Sequence, residues 1–432
     1  MHSRLTTLAV VVLALAWANP LPAADLPSAA AESALQRILD GGRDSHSDSV
    51  LVLADGAELG HYYRDDKAPG PIELMSATKS VVALGIGQLI GQKRIESLDQ
   101  PVADFYPEWK QGKKRDITVR MLLAHTSGLQ NVAMAPTEIY PAPDVIQLAL
   151  AAELSSAPGM GFAYNNKATN LLAGIIEKAS GQPMDQFFRE GLFAELEVTP
   201  GPWDKDKVGN PYAMAGLALD AAGAAKIGQF VLERGKWRGK QLIPVDYLDA
   251  MLAPGQLLDP SCGLLWWLRP AWMHFHFDPD SLAMLRKKGA AEDLIQMLEQ
   301  ALTGARFDGP DAMMAGLFER LGEDVGRFRE ELVDKYGIGP YRLFTIDQGP
   351  VAAYEAQGYL GQYIVVVPSA RLVAVRQVAS PAGDETPPVA DGYLDFTQRV
   401  LDLARAMGGL APEPTMTGVS GTMKQNTVSL SP

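Results

Sequence analysis

The sequence predicts an α/β fold of the α+β kind, in which helices flank one antiparallel β-sheet and a helical domain is inserted. Apolar strand pairs occur near both ends of the chain, as SVLVLADGAELGHYY (49–63) and QYIVVVPSARLVAV (362–375). The long region between them is mostly helical in pattern and is interrupted by Gly and Pro. Strands at both ends with helices between them favour a single sheet that the two termini complete.

Composition is typical of a folded, acidic protein. Of the 432 residues, 47% are hydrophobic and 21% are charged, and the formal net charge is −13. This composition permits a full core and excludes global disorder. The negative balance argues against nucleic acid and anionic membranes as partners, because both need basic surface. The single cysteine, Cys262, excludes an intramolecular disulfide.

The N-terminus predicts export. Residues 1–24 combine a short basic start (MHSR), a compact apolar run and a zone of small residues. This is the pattern of a secretory signal peptide, and we expect cleavage near Ala23 or Ala24. The mature protein is therefore expected in the periplasm or outside the cell. No later segment is long and apolar enough to be an integral membrane segment.

The remaining elements follow in chain order, with the hydrolase-like domain expected over 25–407. An amphipathic helix is expected at 29–42, and the first hairpin turns at Asp55-Gly56. The second hairpin turns at 368–370, and a helix from Tyr393 to about Met407 follows it. Residues 408–432 have the small, polar composition of a disordered tail.

The stretch PIELMSATKSVVALGIGQLI (71–90) places Ser76 and Lys79 three residues apart. A serine at a helix start is commonly an N-cap, and a helical lysine commonly extends its amine to solvent. Here the helix has no polar face before Gln92, which predicts that it is enclosed. Residues three apart share a helical face, and burial lowers the pKa of a lysine. Lys79 could then accept the proton of Ser76, which would act as a nucleophile.

Two further stretches carry a family resemblance, ITVRMLLAHTSGL (117–129) and PGMGFAYNNKATNLLAGIIEKASGQPM (158–184). Together with SATKS they resemble the serine β-lactamase and penicillin-binding-protein superfamily, in its class C-like and esterase-like branch. The resemblance implies a β-lactamase/transpeptidase-like fold. It also implies that Ser76 and Lys79 form the S-x-x-K motif, and Tyr164 and Asn166 the ends of the Y-x-N motif.

The resemblance suggests a role for each motif residue. Tyr164 would share protons with Ser76 and Lys79 and protonate the leaving group. Asn166 would position the acyl group through its amide. His125, within HTSGL, is expected to shape a turn and a hydrogen-bond network rather than to act chemically.

The third motif departs from the family, which places K-T-G, H-T-G or a variant on a strand beside the site. The matching residues are Ala356-Gln357-Gly358. Gly358 is retained, and we expect it to let substrate backbone approach the strand. Tyr359 is expected to offer its N–H, with that of Ser76, as an oxyanion hole. The cationic or imidazole side chain is absent, which argues against β-lactams and D-alanyl-D-alanine peptides as substrates.

Two segments look like the subgroup of 6-aminohexanoate-dimer hydrolases and related esterases. These are GYLGQY before VVP, and residues 201–244. Within the latter, Trp203, Asp204 and Asp206 either line the pocket or serve an ordinary loop.

The segment HFHFD (274–278) matches the H-x-H-x-D opening of metallo-β-lactamases. A zinc site of that kind needs further histidines downstream, and none of the six histidines follows His276. Alternation of His and Phe instead predicts an extended segment. We infer no metal and no cofactor.

The sequence thus predicts a serine hydrolase that cleaves ester or amide bonds of small or linear substrates through an acyl-enzyme. The alternatives are a D-Ala-D-Ala carboxypeptidase or β-lactamase of the same family, and a catalytically silent protein that binds cell-wall peptides. The expected partner is a small-molecule or short peptide-like substrate, and the oligomeric state is left open. A charged helical block at about 269–343 is an insertion, either a surface elaboration or a lid or dimer face.

Overall fold

The structure is a computed structural model that describes residues 26–132, 135–335, 338–379, 393 and 395–412. The predicted signal peptide (1–24) therefore lies outside the described residues, as does the predicted tail from 413 onward.

The strands pair antiparallel throughout. In chain order they are β1 Ser49–Ala54, β2 Ala57–Tyr63, β3 Ile72–Glu73, β4 Ala218–Leu219, β5 Lys236–Trp237, β6 Lys240–Gln241, β7 Trp267–Pro270, β8 Met273–Phe277, β9 Arg306–Asp308, β10 Phe344–Gln348, β11 Val351–Gly358, β12 Gln362–Val367 and β13 Leu372–Gln377.

The α-helices occupy both ends of the described chain and most of its middle. They are α1 Ala29–Asp44, α2 Thr78–Gly91, α3 Val119–Leu123, α4 Ala135–Glu138, α5 Val145–Ala151, α6 Asn166–Ser180, α7 Met184–Glu190, α8 Leu192–Glu195, α9 Ala221–Leu232, α10 Val245–Met251, α11 Asp280–Lys287, α12 Glu292–Leu302, α13 Pro310–Leu321, α14 Val325–Arg327 and α15 Phe396–Ala406. A 3-10 turn at Met75–Ala77 precedes α2, and a π-helix at Phe328–Lys335 follows α14.

The main sheet has six strands in the order β2-β1-β13-β12-β11-β7. The N-terminal hairpin and the C-terminal hairpin meet in its middle, where β1 pairs with β13 from Ser49↔Gln377 to Ala54↔Leu372. The predicted single sheet completed by both termini is confirmed. Neither end of the chain could bury its hairpin alone, so the two join edge to edge.

Both faces of the sheet are covered. Successive residues of a strand face opposite sides, so Val373 and Val375 of β13 enter the larger core, with α2 and α9. Leu372 and Ala374 face the smaller core, with α1 and α15. Strands β1, β12 and β13 are buried along their whole length, which is why their sequences are continuous apolar runs.

Helix α2 lies at the centre of the larger core. Every residue from Thr78 to Leu89 is buried, including Lys79, Ser80 and Gln88. The enclosed helix that the apolar sequence predicted is therefore present. Its N-terminus, where Ser76 lies, faces the end of the sheet formed by β11 and β7.

The predicted block at 269–343 is an insertion between β7 and β11. It has its own core, which includes Leu285, Leu298 and Phe344. Besides the expected helices it contains a three-stranded sheet in the order β10-β8-β9, which the sequence analysis did not predict as a sheet. The alternating HFHF segment is strand β8, as its pattern predicted. It needs partners on both sides to satisfy its backbone, and β9 and β10 supply them.

No helix in the described part of the chain is long and apolar enough to cross a bilayer.

Candidate active site

Ser76 lies in the 3-10 turn just before α2, and the backbone of the residue that precedes it is strained. Met75, the preceding residue, has a φ of 49°. Such left-handed conformations are rare for residues with side chains and concentrate at functional sites. Ser76 does not cap a helix, because α2 begins after Ala77 and neither element has a side-chain cap. The N-cap interpretation of this serine is therefore excluded.

Lys79 lies one turn along, and its amine is enclosed rather than directed to solvent. The residue is 2% exposed. Its Nζ lies 3.0 Å from Ser76 Oγ and donates a hydrogen bond to the carbonyl oxygen of Met214 at 2.7 Å. The nucleophile and its candidate base are thus in direct contact.

Burial lowers the pKa of Lys79 from its ordinary value of 10.5, since desolvation disfavours the ammonium form. The neighbouring Tyr164 hydroxyl opposes this shift and raises the pKa of Lys79. The Lys79 amine also lies 4.9 Å from the centre of the Tyr164 ring. A lysine in this position can be neutral at a pH where an exposed lysine is charged, and a neutral amine can accept a proton.

Ser76 and Lys79 lie in a pocket with a space of about 240 Å³ that includes its open mouth. The side chains that line it come from the 3-10 turn before α2, α2 itself, the HTSGL segment, the Y-x-N motif, the loop before β7, β7 and β11. They are Ser76, Lys79, Ser80, His125, Tyr164, Cys262, Leu265, Trp267 and Gln357. The structure thus brings the first two motifs together at one site with the strand of the third.

Tyr164 is held between two rings. It stacks on Trp267 with centroids 6.3 Å apart and planes 13° apart, and its centroid is 4.6 Å from that of His125. Its carbonyl oxygen accepts a hydrogen bond from Asn131 Nδ2 at 2.7 Å. These contacts fix the Tyr164 ring beside the Lys79 amine.

His125 is buried and neutral. Desolvation, and secondarily the charge of Lys79, lowers its pKa to about 3. Its Nδ1 accepts the N–H of Asn165 at 3.2 Å, and its carbonyl oxygen accepts the N–H of Ala163. It has a φ of 56°. These are the turn and the hydrogen-bond network that the sequence analysis assigned to it.

The Y-x-N motif enters α6 at Asn165 and Asn166. Asn165 is the N-cap, and its Oδ1 accepts the N–H of Ala168 at 2.8 Å. Asn166 is the first helical residue, and its buried Oδ1 has no hydrogen-bond partner among the described residues. Asn166 is not among the residues that line the pocket around Ser76.

Gly358 ends β11 against the turn that carries Ser76. A Cβ at this position would lie 2.3 Å from the carbonyl oxygen of Leu74 and 3.0 Å from Met75 Cβ. The sequence analysis attributed this glycine to the approach of substrate, but the protein's own backbone occupies the space. Tyr359 follows directly, with its side chain 55% exposed, so its contribution to an oxyanion hole would come from its backbone N–H.

Some residues at the site were not predicted. Ser80 fixes the loop before β7, because its Oγ donates to Leu265 O at 2.6 Å and its carbonyl accepts from Trp266 Nε1 at 3.0 Å. Asn170, fully buried on α6, accepts the N–H of Met214 on its Oδ1 at 3.1 Å. It therefore holds the backbone of Met214, the residue whose carbonyl accepts from Lys79. The sequence signal that could have indicated Asn170 is its position four residues after Asn166, on the same face of the helix.

In the 201–244 segment, the sequence analysis left two roles open for Trp203, Asp204 and Asp206, and the structure gives Trp203 and Asp206 structural contacts. Trp203 packs against Phe188 and donates its Nε1–H to Tyr212 O at 2.9 Å. Asp206 accepts backbone N–H groups of its own loop and of Val145. Neither they nor Asp204 are among the residues that line the pocket.

Both histidines of HFHFD lie near carboxylates. His274 Nε2 lies 3.8 Å from Asp308, and His276 Nε2 lies 3.2 Å from Asp347. In the described ranges no cluster of three or more His, Cys, Asp or Glu side chains could hold a metal ion.

A serine paired with a buried lysine, beside a tyrosine and at the end of an antiparallel sheet, defines the class of this protein. The sequence profile of the Beta-lactamase family matches residues 35–397, and the chain belongs to this family. It is 26% identical over 232 residues to 6-aminohexanoate-dimer hydrolase of Paenarthrobacter ureafaciens, a match covering 48% of this chain and 58% of that protein. It is 30% identical over 151 residues to esterase EstB of Burkholderia gladioli, covering 31% of this chain and 37% of that protein.

These matches span less than two thirds of the length of each relative. Among solved structures, a penicillin-binding protein homologue from Caulobacter crescentus has a similar fold. The TM-score is 0.56 at 16% identity, and the match covers 89% of this chain and 99% of that one. This similarity supports the predicted β-lactamase/transpeptidase-like fold.

Proposed function

We propose that the protein is a serine hydrolase that cleaves ester or amide bonds of small or linear substrates through an acyl-enzyme. The observation that carries the proposal is the enclosed Lys79 amine 3.0 Å from Ser76 Oγ. A buried lysine with no carboxylate partner is costly to stability, and its contact with a serine hydroxyl is the arrangement that activates a nucleophile. The esterase and dimer hydrolase named above support the same reaction class.

In the proposed reaction Ser76 Oγ attacks the substrate carbonyl while neutral Lys79 accepts the serine proton. The positive end of α2, which begins just after Ser76, favours negative charge developing at Oγ. The carbonyl of Met214 orients the amine, so that its lone pair can face Ser76. These contacts exist before substrate binds, so little reorganisation is required.

The tetrahedral intermediate would be stabilised by the backbone N–H groups of Ser76 and Tyr359. As it collapses, Tyr164 transfers a proton from Lys79 to the leaving alcohol or amine, and the acyl group stays on Ser76. Asn166, with its free Oδ1, contacts the acyl group. Water then attacks the acyl carbonyl while its proton passes to the Tyr164–Lys79 pair. That proton returns to Ser76 Oγ as the bond between Oγ and the acyl carbon breaks and the acid is released.

Within this class we rank esterase or amidase activity above D-Ala-D-Ala carboxypeptidase activity, and β-lactamase activity last. The third-motif position that carries a cation in the family is Ala356, which is completely buried. Gln357, the next residue on β11, is neutral. Arg269, on the adjacent strand β7, forms an ion pair with Glu355. A substrate carboxylate would therefore find no free cation on β11. We also propose export to the periplasm or beyond, which N-terminal sequencing of the fractionated protein tests.

Labelling with a fluorophosphonate tests the nucleophile. The wild type should be phosphonylated and Ser76→Ala should not, because only an activated serine attacks the reagent. Ser80→Ala is the matched control, since Ser80 lines the same pocket but donates its hydroxyl to Leu265 O. A folded wild type that fails to react would favour the silent binding protein, and equal labelling of Ser76→Ala would place the nucleophile elsewhere.

A substrate panel then ranks the activities. It should contain short acyl esters, a linear aminohexanoate dimer, a D-Ala-D-Ala peptide and a chromogenic cephalosporin. Turnover of the esters or the dimer above the other two is expected. Rapid cephalosporin turnover would reverse the ranking.

A further inference from the structure

Strand β13 carries a guanidinium group in the interior of the protein. Arg376 is 1% exposed. Its Nη1 donates to Leu360 O at 3.0 Å and to Gly361 O at 2.7 Å. Its other nitrogens donate to Ser47 Oγ at 2.8 Å and to Ser45 O at 3.0 Å. Every one of these acceptors is neutral.

Arg376 has no carboxylate partner among the described residues. The acidic group that influences it is Asp48, whose own ion pair is with Arg64. The ring of Tyr393 covers the guanidinium at 5.6 Å. Burying a cation without a carboxylate partner is costly, and the neutral acceptors named above offset part of this cost through hydrogen bonds. Desolvation lowers the pKa of Arg376 to about 10, which still leaves the group charged at neutral pH.

The two carbonyls on Nη1 belong to the turn Tyr359–Gly361, and this turn has an uncommon backbone. Leu360 has a φ of 66° and Gly361 a φ of 81°. A leucine in the left-handed region is strained unless its surroundings enforce the conformation. A Cβ on Gly361 would lie 2.1 Å from Arg376 Nη1, so the turn closes directly on the guanidinium.

The same turn lies beside the nucleophile. Its first residue follows Gly358, whose Cα faces Leu74 O and Met75 Cβ, immediately before Ser76. The peptide that carries the Tyr359 N–H joins Gly358 to this turn, so the turn directly follows the candidate oxyanion donor. The other side of the guanidinium is anchored at Ser45 and Ser47, which precede β1.

We propose that Arg376 is a positioning residue for the oxyanion hole: it locks the Tyr359–Gly361 turn so that the Tyr359 N–H points to the oxyanion on Ser76-bound substrate. This inference rests on the proposed function. One planar guanidinium holds two carbonyls of the turn, those of Leu360 and Gly361, and the N-terminal segment at once, which a lysine ammonium cannot do with the same geometry. Arg376 touches no substrate and acts only through the turn.

The test compares Arg376→Met with Arg376→Lys and with Arg371→Met as matched control. Arg371 precedes the same strand at its other end and pairs with Asp55 and Glu233 on the surface. For each variant we would measure kcat and KM on a short acyl ester, the Ki of a phenylboronic acid, and Tm. The boronate forms a tetrahedral adduct with the serine and places an oxygen in the oxyanion hole, so it reports on stabilisation of the intermediate.

Loss of an oxyanion donor lowers kcat by about 100-fold or more, so a displaced donor should lower it by about 10- to 100-fold. Arg376→Met should show this loss with KM nearly unchanged, and its boronate Ki should rise by the same factor. Arg376→Lys should fall between Met and wild type, and Arg371→Met should match wild type in kcat and Ki.

Three outcomes would overturn the inference. Arg376→Met with lower Tm but wild-type kcat and Ki would mean that the guanidinium serves only stability. A rise in KM with unchanged kcat would mean that Arg376 affects substrate binding rather than the oxyanion hole. If Arg376→Met does not fold, the folded Arg376→Lys decides, and wild-type kcat and Ki in that variant would contradict us. If the wild type does not react with fluorophosphonate, both the proposed function and this inference are wrong. If it does react, the variants test the role of Arg376 alone.

Discussion

At the scale of single residues, the site depends on the backbone of one residue, Met214. The N–H of Met214 donates to Asn170 Oδ1 at 3.1 Å, and its carbonyl accepts from Lys79 Nζ at 2.7 Å. Asn170 thus fixes the acceptor that orients the candidate base. Its Nδ2 is buried without a partner in the described residues, an energetic cost that a purely structural leucine would avoid.

The pH dependence follows from the direction of the Lys79 shift. Because its pKa lies below 10.5 in the folded protein, the neutral, accepting form appears at lower pH than for a free lysine. Activity should therefore rise with pH through the Lys79 pKa and fall as the amine is protonated. A kcat/KM profile should show this acid limb.

Changing Asn170 to Asp should move that limb. The carboxylate is isosteric and can still accept the Met214 N–H, but its negative charge favours the ammonium form of Lys79. The pKa of Lys79 then rises, the acid limb shifts to higher pH, and activity on the limb drops about tenfold for a rise of one pKa unit. Asn170→Leu, which removes the hydrogen bond without adding charge, is the control. Equal midpoints in the two variants would contradict the electrostatic account.

At the scale of elements, the decisive contact is between the end of β11 and the turn before α2. Gly358 is the only residue type that fits there, because a Cβ would lie 2.3 Å from Leu74 O. The alignment of Ser76 with the Tyr359 N–H therefore depends on two backbones in contact, without a side chain between them.

Gly358→Ala should separate these two elements. Overpacking of this kind costs about 1–3 kcal/mol of unfolding free energy, and the displaced turn should reduce kcat as well. Gly70→Ala is the control, since a Cβ there meets nothing within 4 Å. Chemical denaturation and ester kinetics on both variants provide the measurement. A Gly358→Ala variant as stable and active as Gly70→Ala would show that the contact is loose.

At the scale of the whole molecule, the block between β7 and β11 is a separable unit. It has its own core, and none of the described residues that line the pocket belongs to it. Its two ends meet in backbone hydrogen bonds, with Ala271 N donating to Pro350 O at 2.8 Å and Gly349 N to Trp272 O at 2.9 Å. These contacts favour a surface elaboration over a lid.

Replacing residues 273–348 by Asn-Gly should therefore preserve the site. The two-residue turn suits the antiparallel pairing of β7 with β11, because its twist matches that of the strands. We expect the shortened protein to fold, to react with fluorophosphonate at Ser76 and to hydrolyse short esters at a rate within about threefold of wild type, since the strands that carry the site are retained. Altered substrate preference would instead identify a lid, and an altered oligomeric state a dimer face.

Local pattern was sufficient for much of this protein. The hairpins at both ends, the enclosed helix after Ser76 and the extended HFHF segment within a helix-rich block followed from apolar periodicity, whereas the family was indicated by the resemblance of three short motifs. They did so because burial of apolar side chains and the three-residue spacing on a helix act within a few residues of one another.

Contacts between distant segments could be decided only by the tertiary structure. Lys79 meets Met214 and Asn170, Gly358 meets Leu74, and Arg376 meets both Ser45 and the turn after β11. No local pattern encodes such pairs, because each depends on which backbone group lies opposite a side chain once the sheet and helices have packed. The sequence determined which residue could be the nucleophile and which its base. Only the packed backbone shows which groups hold these two side chains in place. It also shows that Gly358 is required because Leu74 leaves no room for a Cβ.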